Sequence, residues 1–70
     1  SDLCRARQDA LINLCFNIGI TRLLTFTNSL AYMEAEDYEK AADEFLNSRW
    51  AEQVGNRAIE VTELIRTGRY

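Results

Sequence analysis

Leu3, Ala6, Ala10, Leu14 and Ile18 recur at helical spacing, and Leu11 and Cys15 widen the stripe they form. From Ala10 onward the segment is apolar on nearly every side, through Leu11, Ile12, Leu14, Cys15, Phe16 and Ile18; only Asn13 and Asn17 interrupt it. A helix apolar all round is normally central, with others packed about it. The pattern predicts a first helix over about Leu3 to Ile18, with Leu11, Leu14, Cys15 and Ile18 buried. Ser1 or Asp2 would cap its start, and Gly19 would end it in a left-handed conformation.

The rest of the chain reads as shorter helices. Thr21 to Phe26 is a short helix or a turn, and Thr25 or Thr27 would cap the helix that carries Leu30, Ala31 and Met33. A charged break, Glu34 to Asp37, follows. Asp37 is a good N-cap for Tyr38 to Leu46, whose buried face would be Ala41, Ala42, Phe45 and Leu46. Asn47 or Ser48 would start a short helix over Arg49 to Gln53. The last helix would run from about Gly55 to Thr67, with Ala58, Val61, Leu64 or Thr62, and Ile65 inward, and Gly68 as its stop. Val, Ile and Thr are scattered without period-two runs, so no strand competes. The expected fold is all-α, a compact bundle of five to six short helices around a central first helix.

Composition supports this reading. Seventy residues make one domain; 47% are apolar, with no proline and only three glycines. The net charge of −3 does not suggest a nucleic-acid partner, and no apolar run approaches the ~20 residues of a membrane span. Cys4 and Cys15 lie eleven residues apart. On one helix that is about 16 Å of rise, too far for a disulfide, whose Cα atoms must lie within about 7 Å. Both should be free thiols, as suits a reducing cytoplasm. No histidine is present to bind metal or act as a base. The start, Ser1 to Arg5, is not a signal peptide and reads as if cut from something longer.

Several residues carry candidate chemistry. The acidic stretch Glu34, Glu36, Asp37, Glu39, Asp43 and Glu44 lacks the spacing and central glycine of a calcium loop. It reads better as a solvated helix start; no metal site and no cofactor is expected. Asp9 and Glu52 are the acids that border apolar stretches, and neither sits in a catalytic motif. Asn13 must find a partner if buried, either in a bond between helices or in positioning an arginine at a site edge. Arg57 falls near the start of the last helix, where the helix dipole disfavours a positive charge. Trp50 reads as a core residue rather than a sugar-stacking one.

Ala10-Leu11-Ile12-Asn13, Phe16, Gly19, Phe26-Thr27-Asn28-Ser29-Leu30, Ala41-Ala42, Ser48-Arg49-Trp50, Asn56-Arg57-Ala58 and Arg66-Thr67-Gly68 form a collinear set. Asp2-Leu3 and Arg7 extend it toward the N-terminus. In this order and at these spacings the set resembles the C-terminal lobe of T-even-type phage lysozymes, the endolysins that act as muramidases. The resemblance implies an enzyme hydrolysing the β-1,4 bond between N-acetylmuramic acid and N-acetylglucosamine in peptidoglycan. It implies that the catalytic glutamate belongs to an N-terminal lobe absent from this sequence, so the chain alone would be inactive.

By the same resemblance, Arg57 and Asn13 would orient the missing glutamate. Phe16, Asn17, Ser29 and Glu44 would bind substrate, and Arg49 and Gln53 would line the lip of the cleft. Some positions depart from the family. Asn17 stands for a glutamine and Glu44 for an asparagine, the latter favouring a cationic peptide stem. Tyr38 stands for a tryptophan, and Val54-Gly55 for threonine-proline. The partners implied are peptidoglycan glycan strands and the N-terminal lobe. The chain would be a monomer made in the bacterial host cytoplasm and acting on the cell wall. A non-catalytic peptidoglycan- or lysozyme-binding module is the alternative. A bare helical scaffold is disfavoured, because a scaffold needs neither Arg57 nor Asn13.

Overall fold

The computed structural model describes residues 3–70, which form six α-helices and no strand. They are α1 (Arg5–Ile18), α2 (Ile20–Leu23), α3 (Thr27–Glu34), α4 (Tyr38–Leu46), α5 (Arg49–Val54) and α6 (Asn56–Thr67). The proposed caps Ser1 and Asp2 lie outside the described residues. The N-cap position of α1 is Cys4, which makes no side-chain capping bond.

Two expected caps are formed. The Lys40 backbone N–H donates to Asp37 Oδ1 at the start of α4 (3.4 Å). The Ala51 N–H donates to Ser48 Oγ at the start of α5 (3.3 Å), while the same hydroxyl donates back to the Phe45 carbonyl (2.6 Å). Gly68 ends α6 with φ +70°, in the left-handed region that glycine enters without steric cost. The start of α3 differs from expectation. Thr25 donates its hydroxyl backward to the Arg22 carbonyl (2.6 Å), and Thr27 is already the first helical residue. Phe26 holds the N-cap position, so α3 begins without a side-chain cap.

The core gathers Leu14, Leu23, Met33, Phe45, Trp50, Val61 and Ile65 around the alanines Ala10, Ala41, Ala42 and Ala58. Small residues on α4 and α6 let these helices approach closely. Helix α4 packs against α3, α5 and α6, and α6 packs against α1, α4 and α5. The expected inward residues of α6 are buried, with Thr62 fully buried and Leu64 partly so. Thr62 satisfies its hydroxyl on the Ala58 carbonyl (2.7 Å).

Helix α1 resolves into two faces. Ala6, Ala10 and Leu14, spaced by four, form its buried stripe. Leu11, Cys15 and Ile18 are half-buried against the core rather than enclosed. Ile12 and Phe16 face outward, 53% and 87% exposed. A segment apolar on all sides carries no periodic signal of which face is covered. The alanines decided it, because they allow the closest approach to α6.

Arg7 fastens α1 to α6. Its Nε donates to the Ile65 carbonyl (2.7 Å) and its Nη2 to the Arg66 carbonyl (3.3 Å), two carbonyls at the open end of α6. Its guanidinium also lies 3.6 Å from the Tyr38 ring centroid. The N-terminus of α1 thus meets the C-terminus of α6, the two helices run antiparallel, and the middle of α1 falls beside the start of α6. Cys4 and Cys15 are both free thiols. The Arg7 backbone N–H, and after it the Arg7 charge, holds the exposed Cys4 thiol below its ordinary range.

Candidate functional site

The antiparallel pairing of α1 and α6 sets Asn13 beside Arg57. Arg57 Nη2 donates to Asn13 Oδ1 (3.1 Å), a bond that joins the two helices. The same oxygen accepts from Asn17 Nδ2 (2.6 Å), which also donates to the Asn13 carbonyl (2.9 Å). Asn13 Oδ1 therefore orders two donors at once, one on its own helix and one across it. Arg57 is exposed and forms no ion pair with a carboxylate among the described residues.

These side chains line an open hollow of about 360 Å³ with Asp9, Ile12 and Phe16. Its wall combines polar planar groups with an exposed aromatic ring. Such a surface suits a sugar, whose hydroxyls need donors and acceptors and whose ring face packs on an aromatic. Asp9, Asn13 and Asn17 form a polar line spaced by four along α1, next to the apolar pair Ile12 and Phe16. Asp9 accepts from the Tyr70 hydroxyl. Sequence reasoning set Asp9 aside as an acid at the border of an apolar stretch. Its four-residue spacing from the two asparagines was the signal that places it in the hollow.

A second hollow of about 160 Å³ lies at the start of α3, lined by Thr25, Phe26, Thr27, Asn28, Ser29, Glu44 and Asn47. Ser29 and Glu44, far apart in sequence, meet here because α3 packs on α4. Ser29 is 1% exposed, and its Oγ has no hydrogen-bond partner. Glu44 and Asn47 also line a neighbouring hollow of about 230 Å³ with Tyr32, Lys40 and Asp43.

Arg49 and Gln53 line none of these hollows. Both are exposed on α5. Trp50 is the buried residue of that helix and turns toward the core, so Arg49 and Gln53, four residues apart, share its outer side. The structure thus brings Asn13, Phe16, Asn17 and Arg57 together, sets Ser29 with Glu44, and leaves Arg49 and Gln53 apart. Among the described residues no group of three or more His, Cys, Asp or Glu side chains is arranged to hold a metal ion. No helix there is long and apolar enough to cross a membrane.

The electrostatic frame of the site is built at the other end of α6. Arg66 donates to Asp43 Oδ1 (2.9 Å), to Glu39 on α4 and to Glu63 Oε2 (2.9 Å). The hydrogen bond to Asp43, followed by that to Glu39, raises the Arg66 pKa above its ordinary value. With Arg7 on the carbonyls, this ties α6 to both α1 and α4 and so helps hold Arg57 beside α1.

Residues 2–67 match the family model described as Phage lysozyme. The chain is 39% identical over 67 residues to "Probable T4-type lysozyme 1" of Dictyostelium discoideum, covering 96% of this chain and 39% of that protein. It is 41% identical over 64 residues to "Pre-baseplate central spike protein Gp5" of Enterobacteria phage T4, covering 91% of this chain and 11% of that protein. "Probable T4-type lysozyme 2" of Dictyostelium discoideum is 34% identical over 62 residues, covering 89% of this chain and 36% of its own length. The chain therefore spans about two fifths or less of these curated relatives.

Proposed function

The chain belongs to the phage lysozyme family, and from that premise we propose that it forms the substrate-binding wall of a peptidoglycan muramidase. In this reading it is the C-terminal lobe, and a second, N-terminal lobe supplies the catalytic glutamate. The glycan strand lies along α1, with a sugar ring against Phe16 and hydroxyls on Asn13, Asn17 and Asp9. Ser29 and Glu44 hold a more distant part of the substrate. Arg49 and Gln53, exposed on α5, touch substrate only if it extends beyond the hollows. Synthesis in the bacterial host cytoplasm and action on the cell wall follow from the same reading.

Cleavage of a β-1,4 glycosidic bond needs a carboxylic acid to protonate the leaving oxygen, with a second carboxylate or an activated water on the other face of the sugar. Arg57 supplies a fixed positive charge that never titrates in the working range. Held by Asn13, it presents donors to a carboxyl group arriving from the second lobe and fixes its orientation at the bond to be cut. The observation that carries this reading is the 3.1 Å Arg57–Asn13 bond beside the exposed Phe16. The helix dipole disfavours an arginine near a helix start, and an arriving anion would offset that cost.

The test joins the chain to the N-terminal lobe of a T4-type lysozyme and measures clearing of purified cell walls. The 70-residue chain alone leaves turbidity unchanged, and the joined protein clears it. Clearing by the chain alone would refute the half-enzyme reading. The alternative, a non-catalytic peptidoglycan- or lysozyme-binding module, draws on one feature: both hollows are lined by residues of this chain. Co-sedimentation with cell walls without any clearing by the joined protein would favour it.

A further inference from the structure

We propose that Asp9 sets a substrate preference within the α1 hollow: it receives the ammonium of a glucosamine that lacks its acetyl group, and Tyr70 holds it in place for that contact. This rests on the glycan reading above.

The hollow has two unlike ends. Arg57 lies at one, bonded to Asn13. Asp9 lines the same hollow one helical turn before Asn13, about 6 Å along the axis of α1. The other polar side chains of the lining, Asn13 and Asn17, are neutral amides. Asp9 is half-buried and forms no ion pair among the described residues. A carboxylate only accepts hydrogen bonds, and its bonds to charged donors are stronger than those to neutral ones.

Tyr70 prepares this carboxylate for a ligand. Its hydroxyl donates to Asp9 Oδ2, which leaves Oδ1 for another donor. The same bond brings the Tyr70 ring, 80% exposed, to the Asp9 end of the hollow. A tyrosine face attracts a cation brought beside it. Neither group is needed for packing: Tyr70 is on the surface, and Asp9 lies outside the buried stripe of Ala6, Ala10 and Leu14.

An N-acetylated sugar presents a neutral amide to Asp9. The same sugar without its acetyl group presents an ammonium on the same ring carbon, with three donors and a positive charge. The Arg57 end repels that ammonium and the Asp9 end attracts it, so the two charges also fix which way round the sugar lies. The hollow thus distinguishes the acetylation state of the glycan, and strands that have lost acetyl groups bind it better than intact ones.

The test is a backbone-amide NMR titration of the chain with three probes: an N-acetylglucosamine oligosaccharide, a glucosamine oligosaccharide of the same length, and lysine amide, which is an ammonium without a sugar ring. Both oligosaccharides are expected to move the Asn13 and Phe16 signals. The glucosamine one should also move Asp9 and Tyr70 and bind about tenfold tighter, the difference between a neutral and a charged hydrogen bond. Lysine amide should leave these signals in place over the same concentrations. Asp9→Asn conserves shape and removes the charge, and it should abolish the preference. Tyr70→Phe keeps the ring and removes the hydroxyl, and it should lower the preference partway. A purely structural role for Tyr70 would leave the ratio of the two affinities unchanged.

Equal binding of the two oligosaccharides would overturn the inference and leave the glycan reading standing. A preference that survives Asp9→Asn would overturn it too, by placing the ammonium elsewhere. Lysine amide binding as tightly as the glucosamine oligosaccharide would show a general cation site, and would also overturn it. No response on α1 to either oligosaccharide would remove the glycan reading and this inference together.

Discussion

At the C-terminal end of α6, Arg66 is 20% exposed and shared among Glu39, Asp43 and Glu63. At the N-terminal end of the same helix, Arg57 is exposed and rests on the neutral amide of Asn13. The first arginine sits where the helix dipole welcomes a cation and the second where it repels one. Around Arg66 the other groups are also satisfied: Arg7 takes the last carbonyls and stacks on Tyr38. Around Arg57 lie an open hollow, an outward Phe16 and an outward Ile12. One end of the helix is organised for stability. The other keeps features that stability alone would remove, and those features coincide with the polar line Asp9, Asn13 and Asn17.

This contrast predicts graded responses to substitution. Leu14 is fully buried on the inner face of α1 and is the large side chain of that stripe. Leu14→Ala should lower unfolding stability by about 2–5 kcal/mol, enough to unfold much of a domain this small. Phe16→Ala, two residues away on the outer face, should shift it within about 0.5 kcal/mol. Chemical denaturation of both variants checks the pair, and equal losses would erase the distinction between the two faces.

Arg66→Ala comes next. It leaves three carboxylates facing one another without their cation, and should cost about 1–2 kcal/mol as a screened surface network. The raised pKa of Arg66 means its contribution is fully present below its ordinary titration range and is lost only in extreme alkali. Salt is therefore the practical lever. The melting temperature of the wild type should fall with added salt, and that of Arg66→Ala should fall less. Parallel slopes for the two proteins would show that the network does not hold α4 to α6.

Gly68→Ala should cost about 1 kcal/mol, from the left-handed backbone alone. A Cβ at this position would also lie 2.8 Å from Arg7 Nη1, so the guanidinium must shift. The readout is the melting temperature together with the hydrogen-exchange protection of the last turn of α6. An unchanged melt would mean that the Arg7 clamp does not tie α1 to α6.

The helices, the inward face of α6 and the caps at Asp37, Ser48 and Gly68 were legible in the sequence because each is written locally. A cap is one residue before a periodic run, and a stop is a glycine after one. Trp50 in the core and Arg57 beside Asn13 were legible as well, the second through the resemblance rather than through periodicity. The two faces of α1 were not, since Ile12 and Phe16 look as apolar as Leu11 and Leu14. The uncapped start of α3 was hidden by two threonines that both look like caps; only the turn geometry sends the Thr25 hydroxyl back to Arg22. The Arg7 clamp joins residues 58 apart in sequence, which no local pattern encodes. The meeting of Ser29 with Glu44 has the same long-range origin.

Substitution of Arg57 has only a small expected effect on stability, and it bears most directly on the account. Arg57→Ala should be made side by side in the 70-residue chain and in the chain joined to an N-terminal lysozyme lobe. The unfolding stability of the chain should change by no more than about 0.5–1 kcal/mol, while cell-wall clearing by the joined protein should fall by about 100-fold or more, as expected when a catalytic acid loses its geometry. A large stability loss in the chain with clearing preserved would make Arg57 a structural residue and contradict the division between the two ends of α6.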